Sequence, residues 1–258
     1  MSDRTDGENM SEMEEAVALL AAEQKELEEL LRRQPPEAWL TLTPAAGWDV
    51  RDQVSHLADT EEIAYDTTTG GPRQLNREAL SFTSPEAFTE SGCDKGRKMQ
   101  TAEVLEWWVS GAARTRDALE GKDPKERVPW GLGMAARTLV TARMMETWAH
   151  GLDIRAALGE KPNLTPRLRD IAWLIFRALP YGFNYAKREM PAGTLRLELD
   201  FDGERWVLGP EDADNVITGD AEEFCRLGVQ RLKLADTTTL KVNGRLAEEA
   251  LQVARAFL

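Results

Sequence analysis

For the first 190 residues apolar side chains recur at intervals of three and four, and from Thr194 they recur at every second position. The first period belongs to an α-helix with one buried stripe, the second to a strand with one buried face. One chain must therefore satisfy two packing geometries, helix on helix and then helix on sheet. Met13, Val17, Leu20, Leu27, Leu30 and Leu31 set the stripe of a first helix over 11–33, which Pro35 and Pro36 end. Asp49, with Asp52 three residues on, reads as the N-cap of a second helix carrying Val50, Val54, Leu57 and Ile63 to about Tyr65. A connection rich in Thr, Gly and Pro follows, with one short helix from Pro85, and Cys93 reads as part of a Gly-rich loop. Long helices are predicted from Thr101 to Gly121 and from Met134 to Leu158, with a loop over 123–133 between them. A further helix starts at Thr165-Pro166 and runs toward Glu189, with Pro180 expected to kink or break it.

Beyond Pro191-Ala192-Gly193, Leu195, Leu197 and Leu199 alternate with Arg196, Glu198 and Asp200, and Asp202-Gly203 marks a hairpin into a second strand over 205–208. Strands at 215–218 and 239–242, a helix over 221–233 and a last helix from Leu246 complete a small mixed domain. The expected fold is α plus α+β, a helical bundle over 1–190 and a small α+β domain over 191–258.

The 258 residues, 42% hydrophobic and 30% charged, suit a globular chain of one large domain or two modest ones. Lys and Arg number 32 against 45 Asp and Glu, a net charge of -13. That balance argues against a nucleic-acid partner and against an anionic membrane, both of which attract basic surfaces. It leaves room for a small anionic substrate held by a local Arg. The start, residues 1–10, has no apolar leader core, and the apolar run 171–176 is too short to span a bilayer. Cys93 and Cys225 form no Cys-x-x-Cys pair, so no thiolate zinc site is offered, and a reduced cytoplasm is the expected compartment.

The chain has two histidines, His56 and His150. His150 follows Glu146 by four residues, which stacks carboxylate and imidazole on one helix face. His56 belongs to another helix. If the two helices face each other, three N/O donors converge, and three protein ligands leave one coordination position open. Asp52, four before His56, and Asp153, three after His150, read as helix-surface acids, or as acceptors for the second imidazole N–H. Trp107, Trp108 and Trp148 read as core, whereas Trp48 and Trp130 flank loops and are candidates for a pocket wall.

The segment from Gly47 through His56 to Glu61 resembles the second helix of the DinB-like metal-binding bundle, and more closely the N-terminal domain of mycothiol-dependent maleylpyruvate isomerases. The segment from Arg143 through Glu146 and His150 to Ile154 resembles that family's second ligand segment. The resemblance implies a DinB-like four-helix-type bundle with His56, Glu146 and His150 as ligands of a divalent metal. Zinc is the first choice, and nickel, iron or copper also suit imidazole and carboxylate. It implies a sterol-carrier-like α+β module after the bundle, with an active-site Arg matched by Arg231 and, second, by Arg226 on the stretch 219–231. The Val128-Pro129-Trp130 loop and the Asp236-Thr237-Thr238 turn resemble an uncharacterised metal-binding subgroup.

Two functions follow from the resemblance. In the first, an enzyme uses the metal to hold a low-molecular-weight thiol such as mycothiol as thiolate. The sulfur adds to a cis double bond of a small electrophile, the bond rotates, and elimination gives the trans isomer; without elimination the outcome is S-transfer. Arg231 then pairs with a carboxylate of substrate or thiol. In the second, the metal stabilises a binding module whose α+β domain carries an apolar or acyl ligand.

Overall fold

The computed structural model describes residues 10–256, and the reading of the first residues as free of a leader lies outside that range. The chain divides into two compact units, residues 1–42 with 47–144, and residues 43–46 with 145–258. Among the described residues, no helix is long and apolar enough to cross a membrane.

In the first unit, α1 (Glu12–Arg32) opens on a capping box in which Ser11 and Glu14 each satisfy the other's backbone N–H. All six apolar residues of its predicted stripe are buried. After a 3-10 turn at Pro36–Leu40 comes α2 (Val50–Thr69), capped by the predicted Asp49–Asp52 box. It runs one turn past the expected end and stops at Gly70, whose left-handed φ of 80° is unstrained only for glycine.

The connection after α2 is more helical than predicted. It holds α3 (Leu75–Ala79) and α4 (Pro85–Gly96). Two glycines set α4 against α2: a Cβ on Gly92 would meet the Asp59 side chain at 2.9 Å, and one on Gly96 would collide with Ser55 Oγ. What reads in sequence as loop glycine is close helix packing, and Cys93 between them is fully buried on α4 instead of lying in a loop. Its Sγ–H points to the Asp52 carbonyl at 3.6 Å, and burial, with Asp52 nearby, pushes the thiol pKa well up, so it is no nucleophile.

Helix α5 (Thr101–Glu120) packs on α1 and α2. The predicted loop 123–133 carries a small hairpin, β1 (Arg127–Val128) with β2 (Met134–Ala135), and leads into α6 (Ala136–Ala157).

In the second unit the helix breaks ahead of Pro180, the second of the two expected outcomes there, giving α7 (Leu168–Arg177) and α8 (Leu179–Tyr185). Four strands follow, β3 (Leu195–Phe201), β4 (Glu204–Leu208), β5 (Asn215–Asp220) and β6 (Lys241–Asn243), in the order β4-β3-β5-β6. The β3–β4 hairpin turns on Asp202 and Gly203, both at positive φ, as a two-residue turn requires. β3 and β5 are parallel. The face bearing Leu195, Leu197, Leu199 and Ile217 is buried, and α9 (Ala221–Gly228) and α10 (Arg245–Val253) pack on this sheet. The α plus α+β class holds.

Candidate metal centre

His56 stands two turns into α2, within a helix whose capping box and buried Val50, Val54 and Leu57 leave its register no freedom. The imidazole is 9% exposed and meets the indole of Trp48, with ring centroids 5.3 Å apart. On α6, His150 Nε2 lies 3.4 Å from Glu146 Oε2, as the four-residue spacing on one helix face dictates. One ligand atom from each of His56, Glu146 and His150 lies within 4.8 Å of the other two. Two imidazoles and one carboxylate are a borderline donor set that fits zinc and its neighbours and does not suit a hard cation such as magnesium.

The acids beside the histidines are not surface residues. Asp52 is 2% exposed; its carboxylate receives Arg97 Nε at 2.9 Å and Nη2 at 3.0 Å, and it accepts the Asp49 N–H at 3.2 Å. Asp153 is 3% exposed and receives Arg231 Nη2 at 2.7 Å and Nε at 3.2 Å.

Arg231 does not end a helix, contrary to expectation. The predicted helix over 221–233 stops at Gly228 in a Schellman turn. Gln230 adopts a left-handed φ of 59°, its N–H reaches the Leu227 carbonyl, and the Arg231 N–H reaches the Arg226 carbonyl at 2.8 Å. The Gln230 amide group fixes this strained position by donating to the Leu227 and Ala254 carbonyls. The turn aims Arg231 at Asp153, with Nη1 on the Val229 carbonyl. Arg226 stays on α9, paired with Glu222 at 3.3 Å and donating to the Arg231 carbonyl at 3.4 Å.

Sequence reasoning passed over Arg143. It is 1% exposed, and it donates to Glu61 Oε1 from Nε and Nη2 and to Thr60 Oγ1 at 3.0 Å. The Thr60 hydroxyl in turn bonds the His56 carbonyl at 2.9 Å, so a buried ion pair stands one turn from His56 on α2 and three residues from Glu146 on α6. The signal was an Arg within the apolar run ahead of Glu146.

The family model for the mycothiol maleylpyruvate isomerase N-terminal domain matches residues 20–155. Uncharacterized proteins from two strains of Mycobacterium tuberculosis are each 36% identical over 245 residues, which cover 93% of this chain and 94% of theirs. A crystal structure of the mycothiol-dependent maleylpyruvate isomerase superposes with a TM-score of 0.59 at 16% identity, covering 89% of this chain and 92% of that one. A histidine-to-alanine mutant of that isomerase gives the same TM-score and identity over 88% and 94%. At that identity the structures establish the fold, while the family model and the close relatives establish descent: the chain belongs to the mycothiol maleylpyruvate isomerase N-terminal domain family.

Proposed function

We propose that this protein is a divalent-metal-dependent enzyme that uses a low-molecular-weight thiol, mycothiol by family, to isomerise a small electrophilic substrate or transfer sulfur to it. The observation that carries the reading is the grouping of His56, Glu146 and His150, the only two histidines of the chain with a carboxylate between them in one site. In this reading His56 and His150 each give an imidazole nitrogen and Glu146 a carboxylate oxygen, with zinc as the first choice of metal. Bound there, the ion lowers the pKa of a coordinated thiol and supplies the thiolate nucleophile. Arg231 orients a carboxylate of substrate or thiol, and Asp153 fixes its guanidinium plane. The chain's net charge of -13 makes such a local cation necessary for an anionic substrate. A reduced cytoplasm is the compartment that fits two buried free cysteines.

The test is elemental analysis of purified wild type and His150→Ala, followed by a thiol-dependent turnover screen of metal-loaded samples. Wild type is expected to carry about one divalent ion per chain, and His150→Ala to lose it while keeping its helical circular dichroism. Stability rests on burial, not on the ion. Wild type that binds no divalent ion overturns the proposal.

One observation favours the carrier reading as a second choice. The second unit has a cavity of about 340 Å³ lined mainly by apolar side chains, among them Phe176, Leu179, Met190, Leu195 and Leu246, with Arg177 also in its wall. Its volume is at the lower end for a small-molecule site, and its lining includes neither Glu146 nor His150. Saturable binding of a fluorescent acyl carboxylate, lost on Leu195→Trp and indifferent to chelator, would favour the carrier.

A further inference from the structure

In the Schellman turn that ends α9, a glycine just past the C-cap would take the left-handed φ without strain, and the turn would form from local signals alone. This chain puts Gln230 there, at φ 59°. A side chain held in a sparsely populated backbone region persists only where its surroundings over-determine it. The Gln230 amide does so, mostly through a distant segment. Its Nε2 donates to the Leu227 carbonyl at 3.0 Å and to the Ala254 carbonyl at 2.9 Å, and its Oε1 receives Arg255 Nη2 at 3.2 Å. The Ala256 N–H reaches the Gly228 carbonyl at 3.2 Å. Residues 254–256, which follow α10, are thus tied to the turn by three hydrogen bonds. The segment has its own footing on α8: the Arg255 guanidinium lies 4.3 Å from the centre of the Tyr185 ring, and a Cβ on Gly182 would collide with the Val253 carbonyl.

Arg231 is the next residue along. Its guanidinium reaches Asp153 on α6 from Nη2 at 2.7 Å and from Nε at 3.2 Å, and the Val229 carbonyl from Nη1 at 2.9 Å. The direction in which its side chain leaves the backbone follows from the dihedrals at Gln230, so a fixed φ there narrows the arc over which the guanidinium swings. A glycine at position 230 would keep the turn and widen that arc, since glycine populates both signs of φ. A strained residue therefore stands where an unstrained one would fold, and what it adds is an amide long enough to link the turn to a second segment. We propose that Gln230, tied to residues 254–256, is a positioning residue that holds the Arg231 guanidinium where it receives a carboxylate. This rests on the reading of Arg231 as the anion-binding group. Gln230 acts through Arg231 and not on substrate or metal.

On the full chain, Gln230→Gly keeps the turn and removes the amide. Relief of the left-handed strain offsets the lost hydrogen bonds, so its unfolding midpoint is expected near that of wild type. The Arg231 Nε–H signal in nuclear magnetic resonance, identified by its loss in Arg231→Lys, is expected to exchange with water about fivefold faster in Gln230→Gly, the net effect of one hydrogen bond. Maleate, a small carboxylate with a cis double bond, is the anion probe. It is expected to shift that signal saturably in wild type and to bind Gln230→Gly about fivefold more weakly. Gln230→Asn also accepts a left-handed φ, but its amide is too short to reach Ala254. It should match Gln230→Gly, and it serves if Gln230→Gly fails to fold. Wild-type exchange or wild-type maleate affinity in the variant overturns the proposal and leaves Arg231 as the anion group. A wild type whose Arg231 signal is unmoved by maleate overturns the anion reading of Arg231 and this inference with it.

Discussion

Two buried aspartates each stand about one turn from a candidate ligand histidine, and each is held by an arginine from a distant part of the sequence. Asp52 precedes His56 on α2 and pairs with Arg97, at the end of α4; Asp153 follows His150 on α6 and pairs with Arg231, beyond α9. The two arginines are carried differently, Arg97 as the C-cap of α4 and Arg231 on a turn beyond α9. Arg97 meets three carboxylates, those of Asp52, Glu90 and Asp94, and its charge is more than matched by the protein itself. Arg231 meets the Asp153 carboxylate and a backbone carbonyl, Val229. A guanidinium surrounded by three carboxylates fastens helices and offers nothing to an anionic substrate. The guanidinium of Arg231, carried on a Schellman turn outside the helix and bonded to Asp153, is the one that the proposed function assigns to a carboxylate of substrate or thiol. In the proposed function the Asp–Arg pair is thus a fastener on one histidine helix and a mount on the other.

The comparison breaks most visibly at Arg97. Arg97→Ala leaves Asp52 buried without its cation and is expected to cost about 3 kcal/mol. That is the low end for a broken buried pair, because the Arg97 side chain is 31% exposed and water partly replaces it. Urea unfolding measures this, and a loss under about 1 kcal/mol would show the Arg97–Asp52 pair to be ornamental. At Arg231 the expected stability effect is again about 3 kcal/mol, and adding Asp153→Asn to Arg231→Ala should recover most of it by removing the stranded charge. Thiol-dependent turnover should stay lost in both variants with metal content unchanged. If turnover survives in Arg231→Ala and instead disappears in a folded Arg97→Ala, the assignment of fastener and mount is reversed.

A third carboxylate sharpens the comparison because, among the described residues, no arginine holds it. Glu223 on α9 is raised in pKa by partial burial. The hydroxyls and amides of Thr239 and Thr238 outweigh that and bring it down to about 2. Its folded-state pKa lies below the ordinary value of 4.5, so its contribution is complete above about pH 4.5 and is lost as pH falls toward 2. Glu223→Gln should cost less than about 1 kcal/mol at pH 7, since the site is open to solvent. The difference from wild type should vanish in unfolding titrations near pH 2. A difference that persists there would assign the effect to shape and not to charge.

Helix starts were legible because capping is local. Ser11 with Glu14 and Asp49 with Asp52 satisfy donors three residues away and need nothing from the rest of the chain. The Glu146–His150 pair was legible for the same reason, since one helix turn fixes it. The alternation of Leu195, Leu197 and Leu199 likewise named the buried face of β3 before any partner strand was known. Where α9 stops was not legible, because Gln230 in a left-handed turn is held by the Ala254 carbonyl, 24 residues away. Helix α4 was only half legible, because Gly92 and Gly96 read as loop residues until α2 lies against them.

The sequence by itself determined the two periodicities, the caps, and which side chains are able to ligate, all of which depend on neighbours within a turn or two. Only the tertiary structure decided that His56 joins Glu146 and His150, that Asp52 serves Arg97, and that Trp48 faces the imidazole. Those pairings join residues up to 94 positions apart in sequence. Local rules rank such partners equally, and packing and charge matching select among them.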